Sequence, residues 1–357
     1  MHNIRTGLGP QSLAEMRQEK TRQAKQEHES LHLERQEQVT FRDAAAAFES
    51  WAKDNKKSWR DDTCRLQHIL PIIGDIRLVD LDKEHARELA TALKNKTGKN
   101  GAPLAPATIR HCLTLARRII NHASDTVLPG SRTAMFAKDN PFRRIKMPKV
   151  DNQRWRYLTF EEAQELLQAF KKPYPPAQIY SQAKADRMLL ICRLALYTGA
   201  RLSEITCLRL EDLFISSNML RLVDTKHGSR TVYPDEETLA MLQEQTQGLK
   251  GTWAFPSRVH SSPACKYHIG HVFTRTIKDK TRLNQGIQDA RNKITFHTLR
   301  HTFGTWQIYG GMDIETLSRL MGHTDLSTTR RYVHLAEDFK AQMAARSRIE
   351  GLRLKPF

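Results

Sequence analysis

The sequence predicts a mainly α-helical fold with one small antiparallel β-sheet. Apolar residues recur at helical spacing over most of the chain, which indicates helices that pack through one face. Three short stretches near 213–217, 219–224 and 230–233 alternate instead between apolar and polar residues, as short neighbouring strands do. Proline and glycine interrupt the helical pattern over residues 126–154. We therefore expect a helical region, a linker at 126–154 and a second region of the α+β type.

The first folded region is predicted to be a bundle of about four helices over residues 40–125. Thr40-Phe-Arg-Asp43 is typical of a capped helix start, and apolar residues follow it at helical spacing. Further helical patterns lie near residues 59–70, 82–93 and 106–123. Residues 1–39 consist largely of Gln, Glu, Lys and Arg with few apolar anchors, which favours an exposed helical or linker segment.

The second folded region is predicted over residues 155–340. Thr159-Phe-Glu-Glu162 has the form of a capping box before an apolar helix. A helix over about 183–197 is expected to stop at Thr198-Gly199, ahead of the three strands. Helical patterns return after the strands, and residues 341–357 are expected to form a C-terminal tail.

The charge of the chain favours a polyanionic partner. Its 357 residues include 57 Lys and Arg against 39 Asp and Glu, a formal net charge of +18. Residues 1–40 contribute no net charge, whereas residues 41–152 contribute +8 and residues 153–357 contribute +10. Each phosphate that such a surface neutralises releases a counterion. Two successive basic regions are expected if both lie on double-stranded DNA.

Several other classes of protein are disfavoured. No apolar run approaches the length of a membrane span, and the first residues lack the apolar core of a secretory signal, so a cytoplasmic protein without a membrane partner is expected. The five cysteines are scattered and predict neither a disulfide framework nor a zinc ribbon. A zinc hypothesis on Cys265, His268 and His271 has only three potential ligands to support it.

Two segments each contain a cationic side chain that could have either a catalytic role or an ordinary structural or surface role. Thr198-Gly-Ala-Arg201-Leu-Ser-Glu204 puts Arg201 at a helix start with Glu204 three residues on, able to orient the guanidinium. A structural ion pair is the alternative interpretation. Lys226 lies in the tight turn before the third strand, where a lysine is usually a solvated surface group.

Two further segments combine histidines with another reactive group. His297 and Arg300 are three residues apart and share a helix face, an arrangement that is unfavourable unless an anion such as a phosphate lies between them. In the last segment Gly322 ends a helix, His323 lies in the turn and Tyr332 falls on the next helix. Taken alone, Tyr332 is one of eight tyrosines, most of which are packing groups.

Together the four segments resemble the catalytic domain of the tyrosine recombinase (phage integrase) family over about residues 157–337. The phrases Thr-Gly-Ala-Arg-Leu-Ser-Glu, His-Thr-Leu-Arg-His-Thr-Phe and Met-Gly-His-Thr-Asp-Leu-Ser-Thr-Thr-Arg-Arg-Tyr are highly specific as a set. The helical region 40–125 is similar, on pattern alone, to the core-binding domain of that family. Ser12–Gln38 resemble the helix that would follow an arm-binding domain, and we interpret residues 1–39 as a remnant of that region. The arm-binding domain itself is expected to be absent, or the chain to be truncated.

The resemblance implies a role for each of these groups. It assigns phosphate clamping to Arg201 and Arg300, and protonation of the leaving group to Lys226. It assigns proton transfer to His297, close to the phosphate, and the second histidine position to His323. Tyr332 would be the nucleophile and Glu204 a supporting acid.

The chemistry of phosphodiester cleavage suits this set. Planar guanidinium groups bind two phosphate oxygens each and stabilise the pentacoordinate transition state. A tyrosine with an ordinary pKa near 10 loses its proton more easily within a basic cluster. The 3′-phosphotyrosine link that results retains the energy of the broken bond, so ATP is not required. The sequence offers no carboxylate cluster to hold a metal, and no cofactor is expected.

The resemblance also implies a biological setting and an assembly. A phage or mobile-element integrase acting in DNA integration would place four protomers on two sites, with the tail 341–357 packed on a neighbouring subunit. A DNA-bending protein or a directionality factor is a further expected partner. Two alternatives stay open from the residues alone, a type IB topoisomerase-like enzyme with the same chemistry and a catalytically silent DNA-binding regulator. A rolling-circle nuclease would need a His-hydrophobic-His metal site, which the sequence lacks.

Overall fold

The structure is a computed structural model of the chain. It describes residues 17–23, 38–98, 101–127, 134–151, 153–173, 182–224, 228–256 and 271–353, with side chains to residue 346. The chain divides into two compact units, Met1–Asn152 and Gln153–Phe357. The described residues are mainly helical with one three-stranded antiparallel sheet, so the predicted fold class is confirmed.

The first unit contains a bundle of four helices between residues 38 and 127. They are α1 (Phe41–Asn55), α2 (Trp59–Ile73), α3 (Lys83–Asn95) and α4 (Pro106–Asp125). The start of α1 lies where the capping pattern predicts it, because the Asp43 backbone N–H donates to Thr40 and the Thr40 backbone N–H donates to the Asp43 carboxylate at 2.9 Å. Each helix buries one apolar face in a shared core.

Within the expected linker at 126–154, the described stretch 134–151 packs against this bundle. Phe136 and Phe142 are buried in the core of the first unit. The Arg117 guanidinium on α4 donates to the Phe142 carbonyl at 2.9 Å and holds the strand-free segment against the helix. Burying each phenylalanine stabilises the first unit by roughly 1.5–3 kcal/mol. Helical periodicity does not predict this burial, because the two residues lie outside any helix.

The second unit surrounds its sheet with helices. In chain order its elements are α5 (Phe160–Lys171), α6 (Gln182–Thr198), α7 (Leu202–Thr206), β1 (Leu213–Phe214), β2 (Met219–Asp224), β3 (Gly228–Val232), α8 (Glu236–Thr246), α9 (Val272–Lys280), α10 (Phe296–Tyr309), α11 (Ile314–Met321) and α12 (Leu326–Arg353). Helix α6 is buried over most of its length, which explains why its sequence is apolar on nearly every face.

The sheet has the strand order β1-β2-β3, and both pairings are antiparallel. Leu220 pairs with Val232 and Asp224 with Gly228 at the two ends of the β2–β3 ladder. Residues 225–227, which follow β2 in sequence and include Lys226, lie outside the described residues.

Two glycines of the second unit allow a close helix contact and a tight turn between helices. Gly199 follows α6 with a φ of +64°, and a Cβ atom there would lie 2.4 Å from the Phe303 ring of α10. Gly322 ends α11 in the left-handed conformation with a φ of +63°. Glycine adopts this conformation without the steric cost that a Cβ imposes, so the chain can turn from α11 towards α12 within a few residues.

Helix α12 is continuous across residue 341, where the tail was expected to begin. Met343 packs beside the small core that contains Tyr332, and Arg346 pairs with Glu161 of α5 at 2.9 Å. Residues 354–357 lie outside the described part of the chain.

Two further findings concern the sequence expectations. Cys64, Cys112 and Cys192 carry free thiols. Among the helices that the structure describes, none combines the length and the apolar character that a bilayer crossing needs.

Candidate active site

Arg201 begins the site at the point where α6 has ended and α7 starts. Its backbone N–H donates to Glu204 Oε2 at 2.6 Å, and its Nη1 donates to Glu204 Oε1 at 2.9 Å. Its Nη2 donates to the Gly322 carbonyl at 3.2 Å, which ties α7 to the end of α11. The side chain keeps 31% of its surface exposed, so the guanidinium is held in place and still open to a ligand.

Glu204 is buried and receives a second arginine, Arg230 of β3. Arg230 Nη1 and Nη2 donate to the two carboxylate oxygens at 2.6 and 2.7 Å. Burial raises the pKa of Glu204, but the hydrogen bonds and charge of Arg230 and the Arg201 N–H outweigh it, so the pKa lies below its ordinary value. The carboxylate is therefore ionised and orients both arginines.

Arg230 was missed in the sequence. Its side chain is only 10% exposed, and its Nε donates to the Leu320 carbonyl at 2.7 Å, so it joins β3 to both α7 and α11. One signal could have found it. Arg230 lies two residues before the buried Val232 and therefore on the same face of the strand.

Arg300 lies buried on α10 and is bound through three neighbours. It donates to the carbonyls of Gly199 and Met321, and its Nη2 lies 2.9 Å from His323 Nε2. Burial and then the charge of Arg201 lower the pKa of Arg300 to about 10, which still leaves it positive at neutral pH. The ends of α6 and α11 thus converge on one guanidinium.

His323 follows Gly322 in the turn before α12, and its hydrogen bonds define its tautomer. A guanidinium only donates, so Nε2 accepts from Arg300 and the proton lies on Nδ1, which donates to Thr329 Oγ1 at 2.8 Å. Burial and then the charge of Arg300 lower the pKa of His323 to about 3. The ring is therefore neutral at physiological pH.

His297 lies on the rim of the site, one turn of α10 before Arg300. Its side chain is exposed, yet the protein atoms around it lower its pKa by desolvation, and the charges of Arg300 and Arg331 lower it further. A cationic ring is disfavoured here, whereas a neutral ring can accept or donate one hydrogen bond.

Tyr332 is carried into this cluster by α12 and is only 1% exposed. Its hydroxyl lies 3.1 Å from His301 Nδ1, and its ring lies parallel to the His323 ring with centroids 6.3 Å apart. Gly304 of α10 lies against the same ring, where a Cβ atom would be 2.8 Å away. Burial raises the pKa of Tyr332, while the nearby positive charges of Arg300 and Arg331 oppose that rise.

His301 is the second residue that sequence reasoning missed. It is 3% exposed, and its ring lies edge-on to that of His297 at 4.5 Å between centroids. Its position four residues after His297 was a usable signal, because residues at that spacing lie on the same face of a helix.

The structure thus brings most of the predicted groups together. The described cluster contains Arg201, Glu204, His297, Arg300, His323 and Tyr332, joined by Arg230 and His301. Lys226 lies outside the described residues. Of the zinc hypothesis, Cys265 and His268 also lie outside them, and the described residues contain no group of three metal-ligating side chains.

Known proteins of one family are similar to this chain. A family model described as the phage integrase family matches residues 156–338. A tyrosine recombinase of Pseudothermotoga lettingae is 27% identical over 274 residues, which cover 75% of this chain and 83% of that protein. Tyrosine recombinase XerC of Roseiflexus castenholzii is 30% identical over 228 residues, which cover 62% of this chain and 68% of that protein.

Solved structures with the same fold include two integrases bound to DNA. The Tn1549 transposon integrase in complex with transposon right end DNA matches with a TM-score of 0.61 and 19% identity, over 86% of this chain and 100% of that chain. A lambda integrase dimer bound to a COC′ core site matches with a TM-score of 0.61 and 15% identity, over 85% of this chain and 80% of that chain. At these identities the likeness shows the fold.

Proposed function

Because the chain belongs to the phage integrase family of tyrosine recombinases, we propose that it cuts and rejoins double-stranded DNA at specific sites through a 3′-phosphotyrosine intermediate. One observation carries the proposal. The Tyr332 hydroxyl lies within a buried cluster whose arginines, Arg201 and Arg300, are held in place by the ends of α6 and α11 and by Glu204 of α7. Tyrosine beside fixed guanidinium groups is the arrangement that attack on a phosphate diester requires.

The two arginines bind the non-bridging oxygens of the scissile phosphate. Arg201 keeps part of its guanidinium exposed while Glu204 fixes its orientation, so little reorganisation is needed when DNA enters. His297, at the exposed rim on the same helix face as Arg300, donates a further hydrogen bond to the phosphate. Charge that develops on the oxygens in the transition state is stabilised by these fixed donors.

Tyr332 supplies the nucleophile and Lys226 the proton for the leaving group. The tyrosine oxygen bonds to phosphorus, the bond to the 5′ oxygen breaks, and the departing oxygen takes a proton from Lys226. Attack by the 5′ hydroxyl of a second strand reverses these steps. No cofactor enters the scheme.

The biological setting that we propose is a phage or mobile-element integrase. The Tn1549 and lambda proteins to which the chain is similar are named as integrases, whereas the Xer relatives are named only as tyrosine recombinases. Strand exchange between two sites requires four protomers, and an accessory DNA-bending protein or directionality factor fits the same setting. A type IB topoisomerase-like activity and a silent DNA-binding regulator are the alternatives to be separated by experiment.

A trapping experiment tests the proposal. Duplexes bound by the Tyr332→Phe chain would be selected from a randomised pool, and the selected site would be rebuilt with a nick beside the cleavage point, so that a short fragment diffuses away. We expect a covalent protein–DNA band with the unmodified chain and none with Tyr332→Phe.

The alternatives give different results with the same substrate. A silent regulator would bind the selected duplex without a covalent band. A topoisomerase-like enzyme would form the band and relax a supercoiled plasmid without pairing two sites. A recombinase would exchange strands between two duplexes that both carry the site.

A further inference from the structure

We propose that His301 is a catalytic residue whose Nδ1 accepts the hydroxyl proton of Tyr332 as the tyrosine attacks DNA. The inference rests on the proposed function, since it needs Tyr332 to act as the nucleophile. It concerns a residue outside the predicted catalytic set. The resemblance assigns proton transfer to His297, whereas the histidine at hydrogen-bond distance from the tyrosine hydroxyl is His301.

The contact itself has the geometry of a proton transfer. Tyr332 Oη and His301 Nδ1 are 3.1 Å apart, within the ~2.6–3.2 Å that a general base needs. Both side chains are buried, Tyr332 at 1% and His301 at 3% exposed, so bulk water has little access to the hydroxyl. In the described part of the chain, His301 is the residue that hydrogen-bonds to this hydroxyl.

The other two histidines of the site are less suited to take this proton. The Nε2 lone pair of His323 accepts from Arg300, and its Nδ1 already carries a proton. His297 lies at the rim, and the His301 ring lies edge-on to it at 4.5 Å. His301 is therefore the histidine placed to receive the proton directly.

The surroundings keep the His301 ring neutral until the reaction. His297 and Arg300 of α10, Arg331 of α12 and His323 of the preceding turn all face it. Burial first, and then these neighbours, lower the pKa of His301 to about 3. A neutral ring with its proton on Nε2 offers the Nδ1 lone pair to Tyr332. A phosphate bound by Arg300 and Arg201 adds negative charge nearby and so favours the imidazolium that forms.

The step balances without another reactant. The tyrosine O–H bond breaks and an N–H bond forms at His301 Nδ1, while the tyrosine oxygen bonds to phosphorus and the bond to the 5′ oxygen breaks. The departing oxygen takes its proton from Lys226, as proposed above. During rejoining, the imidazolium of His301 returns its proton to the Tyr332 oxygen.

The test compares His301→Asn and His301→Phe with a matched control, His334→Asn. The Asn carbonyl can accept the tyrosine hydrogen bond near the position of Nδ1 but cannot take the proton, whereas Phe fills the space without a polar atom. His334 lies exposed on α12 beside Glu337 and should tolerate the same change. Single-turnover cleavage of the nicked selected duplex would be measured across a pH range for each chain.

We expect both His301 variants to fold and bind this duplex but to cleave it about 10²-fold or more slowly than the unmodified chain. With no base to take the proton, their rates should rise with pH towards the pKa of tyrosine, while the unmodified chain and His334→Asn show a flatter profile. A duplex with sulfur in place of the bridging 5′ oxygen supplies a leaving group that needs no proton, so it should rescue Lys226→Ala but not the His301 variants.

A second measurement does not depend on cleavage. Nitrogen–proton correlation spectra of the DNA-free chain report which ring nitrogen of His301 carries the proton, and we expect Nε2. A proton on Nδ1 would overturn the proposal, and so would a His301→Asn chain with the rate and pH profile of the unmodified one. If the unmodified chain cleaves but His301→Asn is unaffected, only this inference fails; if the unmodified chain forms no Tyr332-dependent covalent complex, the proposed function fails with it.

Discussion

At Glu204 a single buried carboxylate orients two arginines that come from different elements. Arg201 approaches from the start of α7 and Arg230 from β3, and the carboxylate accepts from both at 2.6–2.9 Å. Because the carboxylate is shielded from water, breaking these contacts from one side costs more than breaking a surface ion pair. Removing the acid would leave two cations close together without their shared partner.

We therefore expect Glu204→Gln to lower the free energy of unfolding by about 3 kcal/mol, the usual order for breaking a buried ion pair from one side. Denaturation by urea would measure it. Glu211→Gln is the matched control, since Glu211 pairs with Arg209 in an exposed position and should change stability by less than about 1 kcal/mol. Equal effects of the two substitutions would contradict the role assigned to Glu204.

The buried histidines make the stability of the second unit sensitive to mild acid. The pKa of His301 and that of His323 are both lowered to about 3, mainly by burial, against an ordinary value of 6.5. As the pH falls below 6.5, these histidines therefore bind protons in the unfolded chain but not in the folded chain. Their contribution to the free energy of unfolding is complete above pH 6.5 and is lost as the pH falls from there towards 3.

Each of the two histidines should then lower the free energy of unfolding by up to about 1.4 kcal/mol per pH unit in this window. Urea denaturation at a series of pH values would show the slope, and His323→Asn should reduce it by up to about 1.4 kcal/mol per pH unit. His334→Asn should leave the slope unchanged, because His334 is exposed. A free energy of unfolding that is constant between pH 6.5 and 5 would contradict the burial of these rings as neutral groups.

At the scale of elements, the site depends on how closely α10 and α12 approach each other. Gly304 on α10 provides the space that the Tyr332 ring of α12 fills, and a Cβ atom there would lie 2.8 Å from that ring. Alanine favours a helix over glycine by about 1 kcal/mol, so the two effects of this substitution oppose each other. Of these two effects, the displacement of the Tyr332 ring is the one that should change the rate of DNA cleavage.

Gly304→Ala is therefore expected to reduce covalent complex formation with the selected duplex at least tenfold, because a displacement of about 1 Å can cost 10²-fold in rate. Circular dichroism should show that the helices persist. Gly98→Ala, where a Cβ meets nothing closer than 3.5 Å, is the control and should leave the yield unchanged. A Gly304→Ala chain with full activity would show that Tyr332 needs no such close fit.

The elements were more predictable from sequence than the side-chain network. The capping patterns at Thr40 and Thr159 mark the starts of α1 and α5, because a cap is a local hydrogen-bond pattern that a few residues determine. Arg230 escaped prediction because its partners lie on α7 and α11, far away in sequence. His301 escaped because its contact with Tyr332 forms only when two helices pack.

At the scale of the whole molecule, the charge lies on both units. Residues 41–152 and residues 153–357 each carry a clear excess of Lys and Arg. Affinity for DNA that depends on such charges falls steeply with salt, since counterions released into a more concentrated solution gain less entropy. Both units are therefore expected to contribute to DNA binding.

The salt dependence of binding tests this expectation. With Tyr332→Phe as a non-cleaving background, we expect the logarithm of the association constant to fall linearly with the logarithm of salt concentration. Adding Arg201→Gln should reduce the slope by about one, because one phosphate contact is lost. Arg319→Gln changes an exposed residue and should leave the slope unaltered. Binding that is insensitive to salt would contradict a phosphate-based interface.

The most direct measurement of the central claim is the identity of the amino acid that becomes joined to DNA. The covalent complex formed on the nicked selected duplex would be digested with protease and nuclease, and the nucleotide-bearing peptide sequenced by mass spectrometry. Our account predicts the nucleotide on Tyr332, attached through the 3′ phosphate, with a free 5′ hydroxyl on the other DNA end. A nucleotide on any other residue, or attachment through a 5′ phosphate, would contradict it.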